Sequence, residues 1–438
     1  MTLFESALPE GWSWKAIASD FRITKKPRDV SVRNYDRIAF VPMDAIPLGG
    51  REPLRVEWRA PDALTSGTYF ERGDVLLSKI TPSFENGKQA IASSFPSSFG
   101  IGSTELIPIQ SISEQAENRF LFYYLLHPEV RASLVARMEG STGRQRVPEG
   151  AVRELVYPSA PHSEQLRIAA ILWKVQRAIE VQEQLVVTVR ELKQAAMRQF
   201  FTRGLRGEAQ KETEIGMVPE SWEVVPLGRL GRIGNGSTPK RDNEAFWSGG
   251  KIPWLNSGKI HEGVIEAADQ FVTDFAVSEC HLPMVRAGSI LVAITGQGKT
   301  LGNVAKVNFD TTVNQHLAYL QFSDQQVEAD FVRYFLASRY DALRAIGSAG
   351  GSTKGAITCA DLKQFMVPQP PTLAEQHEIA TALQSIDRKL AHHERKRDTL
   401  QELFKTLLHE LMTGRIRVHE LDIDITALAG GPTGGEDT

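Results

Sequence analysis

Apolar residues follow two regimes along this chain. Short runs of β-branched and aliphatic residues, bounded by Gly, Asn and Pro, cover most of it and read as strands. Twice they give way to a long stretch in which apolar residues return at alternating steps of four and three. The first stripe is Ile168, Leu172, Val175, Ile179, Gln182, Val186, Val189, Lys193, Ala196 and Phe200. The second is Ile379, Leu383, Ile386, Leu390, His393, Arg397, Leu400, Phe404, Leu407 and Leu411. Such steps are a heptad seam. Each stretch predicts a helix of about 38 residues, ~57 Å at ~1.5 Å per residue, far longer than a helix of a globular core. The helices begin at Ser163-Glu164-Gln165 and Ala374-Glu375-Gln376, with prolines just before and none within, as sound helix starts require. The two stripes are expected to bury each other, and the polar interruptions Gln182, Lys193, His393 and Arg397 either fix register or face solvent at loosely packed layers.

The remainder of the chain is one plan used twice. Leu8-Pro9-Glu10-Gly11-Trp12 is echoed by Val218-Pro219-Glu220-Ser221-Trp222. The strand-like run Asp74–Thr81 is answered by Ser289–Thr295, and the short helical pattern Asn118–Leu125 by Ala329–Leu336. Gly140-Ser141-Thr142 matches Gly351-Ser352-Thr353, and the closing Val156-Tyr157-Pro158 matches Val367-Pro368. The predicted fold class is α+β: two similar mixed α/β recognition domains, each followed by a long helix, the helices forming an antiparallel coiled coil. The antiparallel sense follows from the short connection after the first helix, which also brings the C-terminus back to the first domain. The expected divisions are domain 1 over 1–162, helix 1 over 163–203, a linker over 204–217, domain 2 over 218–373, helix 2 over 374–414, and a tail over 415–438 whose Gly-rich end, Ala429 to Thr438, is expected to be disordered. Two unequal readers on one rod suit a DNA target of two different half-sites, ~34–36 Å apart when they lie on adjacent turns.

Composition narrows the picture. At 438 residues, 42% hydrophobic and 24% charged, the chain is ordinary globular material for two or more domains. The net charge of −3 is not that of a general nucleic-acid coater, so any basic surface must be local or shared with a partner. The two cysteines, Cys280 and Cys359, make neither a disulfide framework nor a zinc motif. The opening MTLFESALPEGWSWK lacks the charged and apolar regions of a signal peptide, and no apolar run approaches a membrane span. A cytoplasmic protein without membrane contact is expected.

With those blocks in hand, the chain resembles the specificity subunits of type I restriction–modification systems. In the second half, Gly236-Ser237-Thr238-Pro239-Lys240 followed by Gly250-Lys251-Ile252-Pro253-Trp254-Leu255-Asn256-Ser257-Gly258-Lys259-Ile260 looks like the opening of a target recognition domain of that family. Ile290–Gly296, Asn314-Gln315 and Gly351-Ser352-Thr353 are similar to its later blocks, and Pro370-Pro371-Thr372-Leu373-Ala374-Glu375-Gln376 to its entry into a conserved helix. The first half lacks the Ile-Pro-Trp block; Ile38-Ala39-Phe40-Val41-Pro42-Met43-Asp44 stands in its place. The resemblance implies a non-catalytic subunit. Each domain reads half of an asymmetric bipartite site in double-stranded DNA, and the helices act as spacer and dock for two methyltransferase subunits, which restriction subunits can join. It implies no cofactor in this chain; S-adenosylmethionine, ATP and Mg belong to the partners. Service to a fused methylase–nuclease chain is the nearest alternative.

The candidate DNA contacts are Lys79, Thr81, Asn86, Lys88, Arg144 and Arg146 in domain 1, and Thr238, Lys240, Arg241, Asn256, Lys259, Thr295, Gln297, Lys299, Thr300 and Lys354 in domain 2. Arg suits guanine, Asn and Gln suit adenine, and Lys and Thr suit phosphates. Each is weighed against a solvated charge or a plain turn. Ala293-Ile294-Thr295-Gly296-Gln297-Gly298-Lys299-Thr300 nearly spells a P-loop, but Leu301–Val307 reads as turn and strand where a phosphate-binding helix should begin. A P-loop ATP-using protein is therefore the minor alternative. Trp247 and Trp254 are expected in the core, His392-His393 on a helix surface with no metal site, and Glu164-Gln165 and Glu375-Gln376 as helix-start residues acting on the dipole. Inserting one heptad into both long helices is expected to lengthen the spacer of the methylated sequence and leave both half-sites unchanged. A changed half-site with an unchanged spacer, read by methylation mapping, would refute the seam's role as spacer.

Overall fold

The computed structural model describes residues 7–49, 55–296, 299–322, 327–348, 355–423 and 425; the Gly-rich end lies outside them. Contacts divide the chain into two units, Met1–Glu183 with Arg395–Thr438, and Gln184–Glu394.

In the first unit, buried strands build two sheets. One is antiparallel, in the order Phe21–Ile23, Leu106–Ser111, Val75–Ser78, Gln89–Ile91. The other runs Glu57–Arg59, Ile38–Val41, Phe99–Gly102, Thr68–Glu71, with a parallel pair at its centre. Val75, Leu76 and Leu77 are all buried, which is why this strand reads as a continuous apolar run and not as an alternating one. The helix Asn118–Leu126 packs Phe120 to Leu125 into the core, and Ser13–Ala16 pairs with Val156–Ser159.

The second unit repeats this wiring. Its antiparallel core is Gly231–Asn235, Leu317–Phe322, Ile290–Ala293, Val304–Val307, with Val264–Ile265 added at the edge. A smaller, three-stranded sheet sets Gln270–Val272, Ile252–Leu255 and Thr312–Val313 side by side, its middle strand paired antiparallel on one side and parallel on the other, as Ile38–Val41 is. Ala329–Ser338 supplies the helix, and Glu223–Pro226 pairs with Met366–Gln369. Ile38–Val41 therefore occupies the sheet position of Ile252–Leu255, so the substitute block expected for the missing Ile-Pro-Trp is a topological equivalent. The linker holds a hairpin that the sequence reading did not foresee, Gln210–Thr213 against Gly216–Pro219.

The long helices span His162–Arg203 and Leu373–Met412. Each stops where glycine can adopt the left-handed backbone, at Gly204 (φ 61°) and Gly414 (φ 68°). In both units they run antiparallel. Glu183 accepts a hydrogen bond from Gln401 in the first; Arg190 pairs with Glu394 and Lys193 with Asp387 in the second. The seam residues Ile168, Leu172, Ile179, Val189, Ile379, Leu383 and Leu411 are buried, while Val175, Phe200, Ile386, Leu390, Leu400 and Phe404 are half-buried. The stripes do more than cover each other. Ile168 and Leu172 enter the domain-1 core together with Leu408, Leu411 and Met412. Met197 and Phe201 enter the domain-2 core together with Ile379 and Leu383. Of the polar interruptions, Gln182 is buried. Lys193 lies 2.6 Å from Asp387, which also accepts the Tyr334 hydroxyl proton at 2.7 Å.

The helix starts do more than the sequence indicates. Glu164 stands in the first turn of its helix and also joins that turn to the rest of the domain. Its side chain is fully buried, accepts the indole N–H of Trp12 at 3.0 Å, and takes a two-pronged contact from Arg417 at 2.8 and 2.9 Å. Arg417 belongs to the segment after the second helix, so the chain's end does return to domain 1; Val418 is buried in the same core. The second unit repeats half of this knot. Trp222 donates to Glu375 at 3.3 Å, and Arg206 influences Glu375 through its charge alone. Gln165 and Gln376 are spent alike, each accepting the backbone N–H that starts a domain helix, from Glu117 and Glu328.

The two carboxyls consequently titrate in opposite directions. Burial would push Glu164 up, but Arg417, Trp12 and the Val418 N–H outweigh it and hold it below its usual 4.5. Burial dominates at Glu375 and raises it above 4.5. The Glu164 contribution to stability is complete above pH 4.5 and is lost as pH falls through its lowered value. Glu375 does the reverse: stability rises as pH falls through its raised value toward 4.5. Glu164→Ala is expected to cost the more, because it leaves both the Trp12 indole N–H and the buried Val418 N–H without their acceptor and Arg417 without its partner. Glu375→Ala is expected to cost about 1–3 kcal/mol, the cost of an unsatisfied buried indole N–H. Urea unfolding of the two variants checks the ranking, and equal losses would contradict it.

Candidate nucleic-acid interface

The polar loops of domain 2 converge because the small sheet feeds directly into the large one. Thr312–Val313 ends at Asn314, whose buried side chain turns the chain by accepting the His316 N–H at 3.0 Å. From that turn a hydrogen-bond chain runs outward. Thr238 donates its hydroxyl to Gln315 at 2.6 Å, the Gln315 amide nitrogen lies 3.1 Å from His316 Nε2, and His316 Nδ1 bonds the Thr295 hydroxyl. Beside it His261 Nε2 lies 3.3 Å from the Thr300 hydroxyl. The structure thus links Thr238 to Thr295 through Gln315 and His316, and separately pairs Thr300 with His261. The two histidines were missed in sequence because neither sits at metal or catalytic spacing.

The other candidates of this domain have varied surroundings. Lys240 and Arg241 are exposed. The Arg241 guanidinium lies 4.1 Å from the ring centre of Trp247 and 4.7 Å from that of Trp254. Trp254 is buried and Trp247 half-buried, so the core expectation holds for the first and half-holds for the second. Asn256 caps its own turn by accepting the Gly258 N–H at 2.8 Å. Lys259 is held by Glu262 at 2.9 Å and Asp269 at 3.0 Å, and those carboxylates raise its pKa. Lys299 is exposed at the hairpin tip. Gln297 and Lys354 lie outside the described residues.

Domain 1 builds the same junction from different chemistry. Lys79 N–H bonds Glu105 C=O at 2.9 Å, just as Ile294 N–H bonds His316 C=O at 3.0 Å. Ile80 bridges to Arg146 where Thr295 bridges to Ala356. This places Lys79 and Thr81 alongside Arg144 and Arg146. Arg146 clasps Glu105 with both prongs, at 2.9 and 2.8 Å, and its hydrogen bonds hold the Glu105 carboxyl below the usual carboxylate range. Thr81 donates to Glu85 at 2.9 Å and Lys88 Nζ to the Met43 carbonyl at 3.3 Å. Asn86 is exposed, at a turn anchored by buried Phe84.

Sequence reading also missed a basic strip, Lys25, Lys26, Arg28, Arg33 and Arg37, all exposed. Lys25, Lys26 and Lys79 line a cavity of about 320 Å³ floored by Thr68 and Tyr69. The signal was present: Thr24-Lys25-Lys26-Pro27-Arg28-Asp29 echoes Thr238-Pro239-Lys240-Arg241-Asp242 at the same place after an edge strand.

Two other chemistries are answered by geometry. The P-loop-like run joins Ile290–Ala293 to the antiparallel strand Val304–Val307. No helix N-terminus follows it to hold phosphate. Among the described residues, His127, Glu129 and His409 come close enough to share an ion. His127 Nδ1, however, accepts the Glu129 N–H at 3.3 Å, which leaves the ring proton on Nε2, facing His409 Nδ1 at 3.1 Å. A metal-bound histidine needs that other nitrogen as a donor, so the pair is a hydrogen bond. No described helix is long and apolar enough to cross a membrane.

The family model described as the type I restriction modification DNA specificity domain matches residues 219–402. The putative type I restriction enzyme MjaX specificity subunit of Methanocaldococcus jannaschii is 26% identical over 349 residues, 79% of each chain. The EcoAI specificity subunit of Escherichia coli is 34% identical over 164 residues, 37% of this chain and 27% of that one. Among solved structures, the type I restriction–modification S subunit from M. genitalium superposes with a TM-score of 0.60 at 16% identity, covering 91% of this chain and 96% of that one. A chain from a structure of a type I R-M system gives a TM-score of 0.54 at 21% identity, covering 94% of this chain and all of that one. Titration with Mg·ATP is expected to show no saturable binding; a micromolar affinity abolished by Lys299→Ala would contradict the hairpin reading.

Proposed function

We propose, from the premise that this chain belongs to the specificity subunits of type I restriction–modification systems, that it binds duplex DNA at an asymmetric bipartite site. Domain 1 reads one half and domain 2 the other. Two methyltransferase subunits dock on the chain, and restriction subunits join them. S-adenosylmethionine, ATP and Mg serve those partners; this chain supplies the address and no bond-making step.

One observation carries the reading. The two domains share strand connectivity down to the paired junction loops, yet fill that junction with unlike groups: an Arg146–Glu105 fork in one and a Thr238–Gln315–His316–Thr295 chain in the other. Conserved wiring with exchanged polar groups is what two readers of different sequences need, because base edges are told apart by donor and acceptor pattern.

Exchanging residues 218–370 for the matching domain of another family member is expected to replace one half of the methylated sequence and keep the other. Mapping N6-methyladenine across a genome in cells that carry the exchanged chain and its methyltransferase reads this directly. A change in both halves would contradict one domain per half-site.

A further inference from the structure

The candidate residues first picked out in domain 1 cluster at the Lys79–Arg146 junction, but the strongest of them is already occupied. Arg146 gives both prongs of its guanidinium to Glu105 at the surface, a two-pronged pairing where the lysine contacts described next are single. The connection from Phe21–Ile23 to Ile38–Val41 differs. Lys25, Lys26, Arg28, Arg33 and Arg37 stand exposed there against only Asp29 and Asp36. Lys25 and Lys26 rest on weak exposed contacts, to Glu149 and to the Val30 carbonyl, each at 2.7 Å. Water-exposed pairs of this kind contribute little and exchange readily for a phosphate.

Aromatic groups accompany the charges. The Arg37 guanidinium lies 5.0 Å from the ring centre of Trp58, which is 47% exposed. Tyr35, 45% exposed, meets Phe99 edge-on at 5.0 Å. A half-exposed tryptophan and tyrosine on one basic edge suit a contact surface. Stacking also holds an arginine's planar fork ready for a two-pronged contact. Domain 2 repeats the device: in the matching connection, between Gly231–Asn235 and Ile252–Leu255, Arg241 stacks on Trp247 and Trp254. In both copies an arginine of this connection lies over a tryptophan ring, although the rings come from different places: Trp58 from the strand beside Ile38–Val41, Trp247 and Trp254 from the connection and the strand it leads into.

We propose that domain 1 meets its half-site through the Lys25–Arg37 connection and Trp58, with Arg37 as a base-reading group and Lys25, Lys26 and Arg28 on the DNA backbone, while Arg146 shapes the neighbouring turn. The proposal rests on the DNA-reading function above. Arg–guanine pairing in the major groove is the chemistry that fits a stacked guanidinium.

The test uses the full chain with its methyltransferase partner. Methylation mapping of Arg37→Ala and Arg37→Lys is expected to show one base pair of one half-site relaxed, with discrimination there falling about ten- to a hundredfold and the other half-site intact. Arg37→Lys keeps the charge but not the fork, so its affinity for the target should stay close to that of the parent while selectivity falls. Arg28→Ala should weaken target and non-target DNA alike and lower the salt slope of binding by about 1. If both Arg37 variants give the parent sequence, the proposal is overturned while the DNA-reading function stands. If the unsubstituted complex marks no bipartite sequence at all, the function itself fails and the proposal with it.

Discussion

Neither domain completes its core alone; each needs an end of both long helices. Ile168 and Leu172 from one helix and Leu408, Leu411 and Met412 from the other sit among Phe120, Tyr123 and Tyr124. Met197, Phe201, Ile379 and Leu383 do the same around Phe331 and Phe335. Burial of these side chains is worth roughly 1.5–3 kcal/mol each, so the helices are structural parts of the domains and not tethers between them. The tryptophan–glutamate hydrogen bond at each helix start, Trp12 to Glu164 and Trp222 to Glu375, fixes where the helix leaves the domain. From that point the glutamine that follows sets the start of the domain's own helix.

Much of this was legible in sequence because it follows from period and duplication. Heptad spacing identified both helices and their buried face, and the repeated opening and closing blocks identified two domains of one kind. What escaped depends on contacts distant in sequence. Arg417 looks like an ordinary charge in a terminal segment, and only the folded chain brings it to Glu164, 253 residues earlier. The linker hairpin lacks a strong alternating pattern over Gln210–Pro219. The seam was read as two stripes covering each other, whereas periodicity cannot tell a partner helix from a domain core. Among the candidate contacts, residue types do not tell which charges are already spent. Lys259 and Arg146 look alike on paper and are both held by carboxylates.

The two junctions keep one backbone frame and differ in their side chains. The backbone frame is kept by strand pairing and by main-chain bonds that no side-chain exchange disturbs, such as Lys79 to Glu105 and Ile294 to His316. Side chains above that frame are free to differ, and they do.

The most direct test of the account is a methylation map of cells carrying this chain with its methyltransferase, against cells carrying the methyltransferase alone. The account predicts N6-methyladenine in one sequence of two unlike halves separated by a fixed gap, absent when the chain is omitted. A palindromic or single-part sequence, or the same marks without the chain, would contradict it.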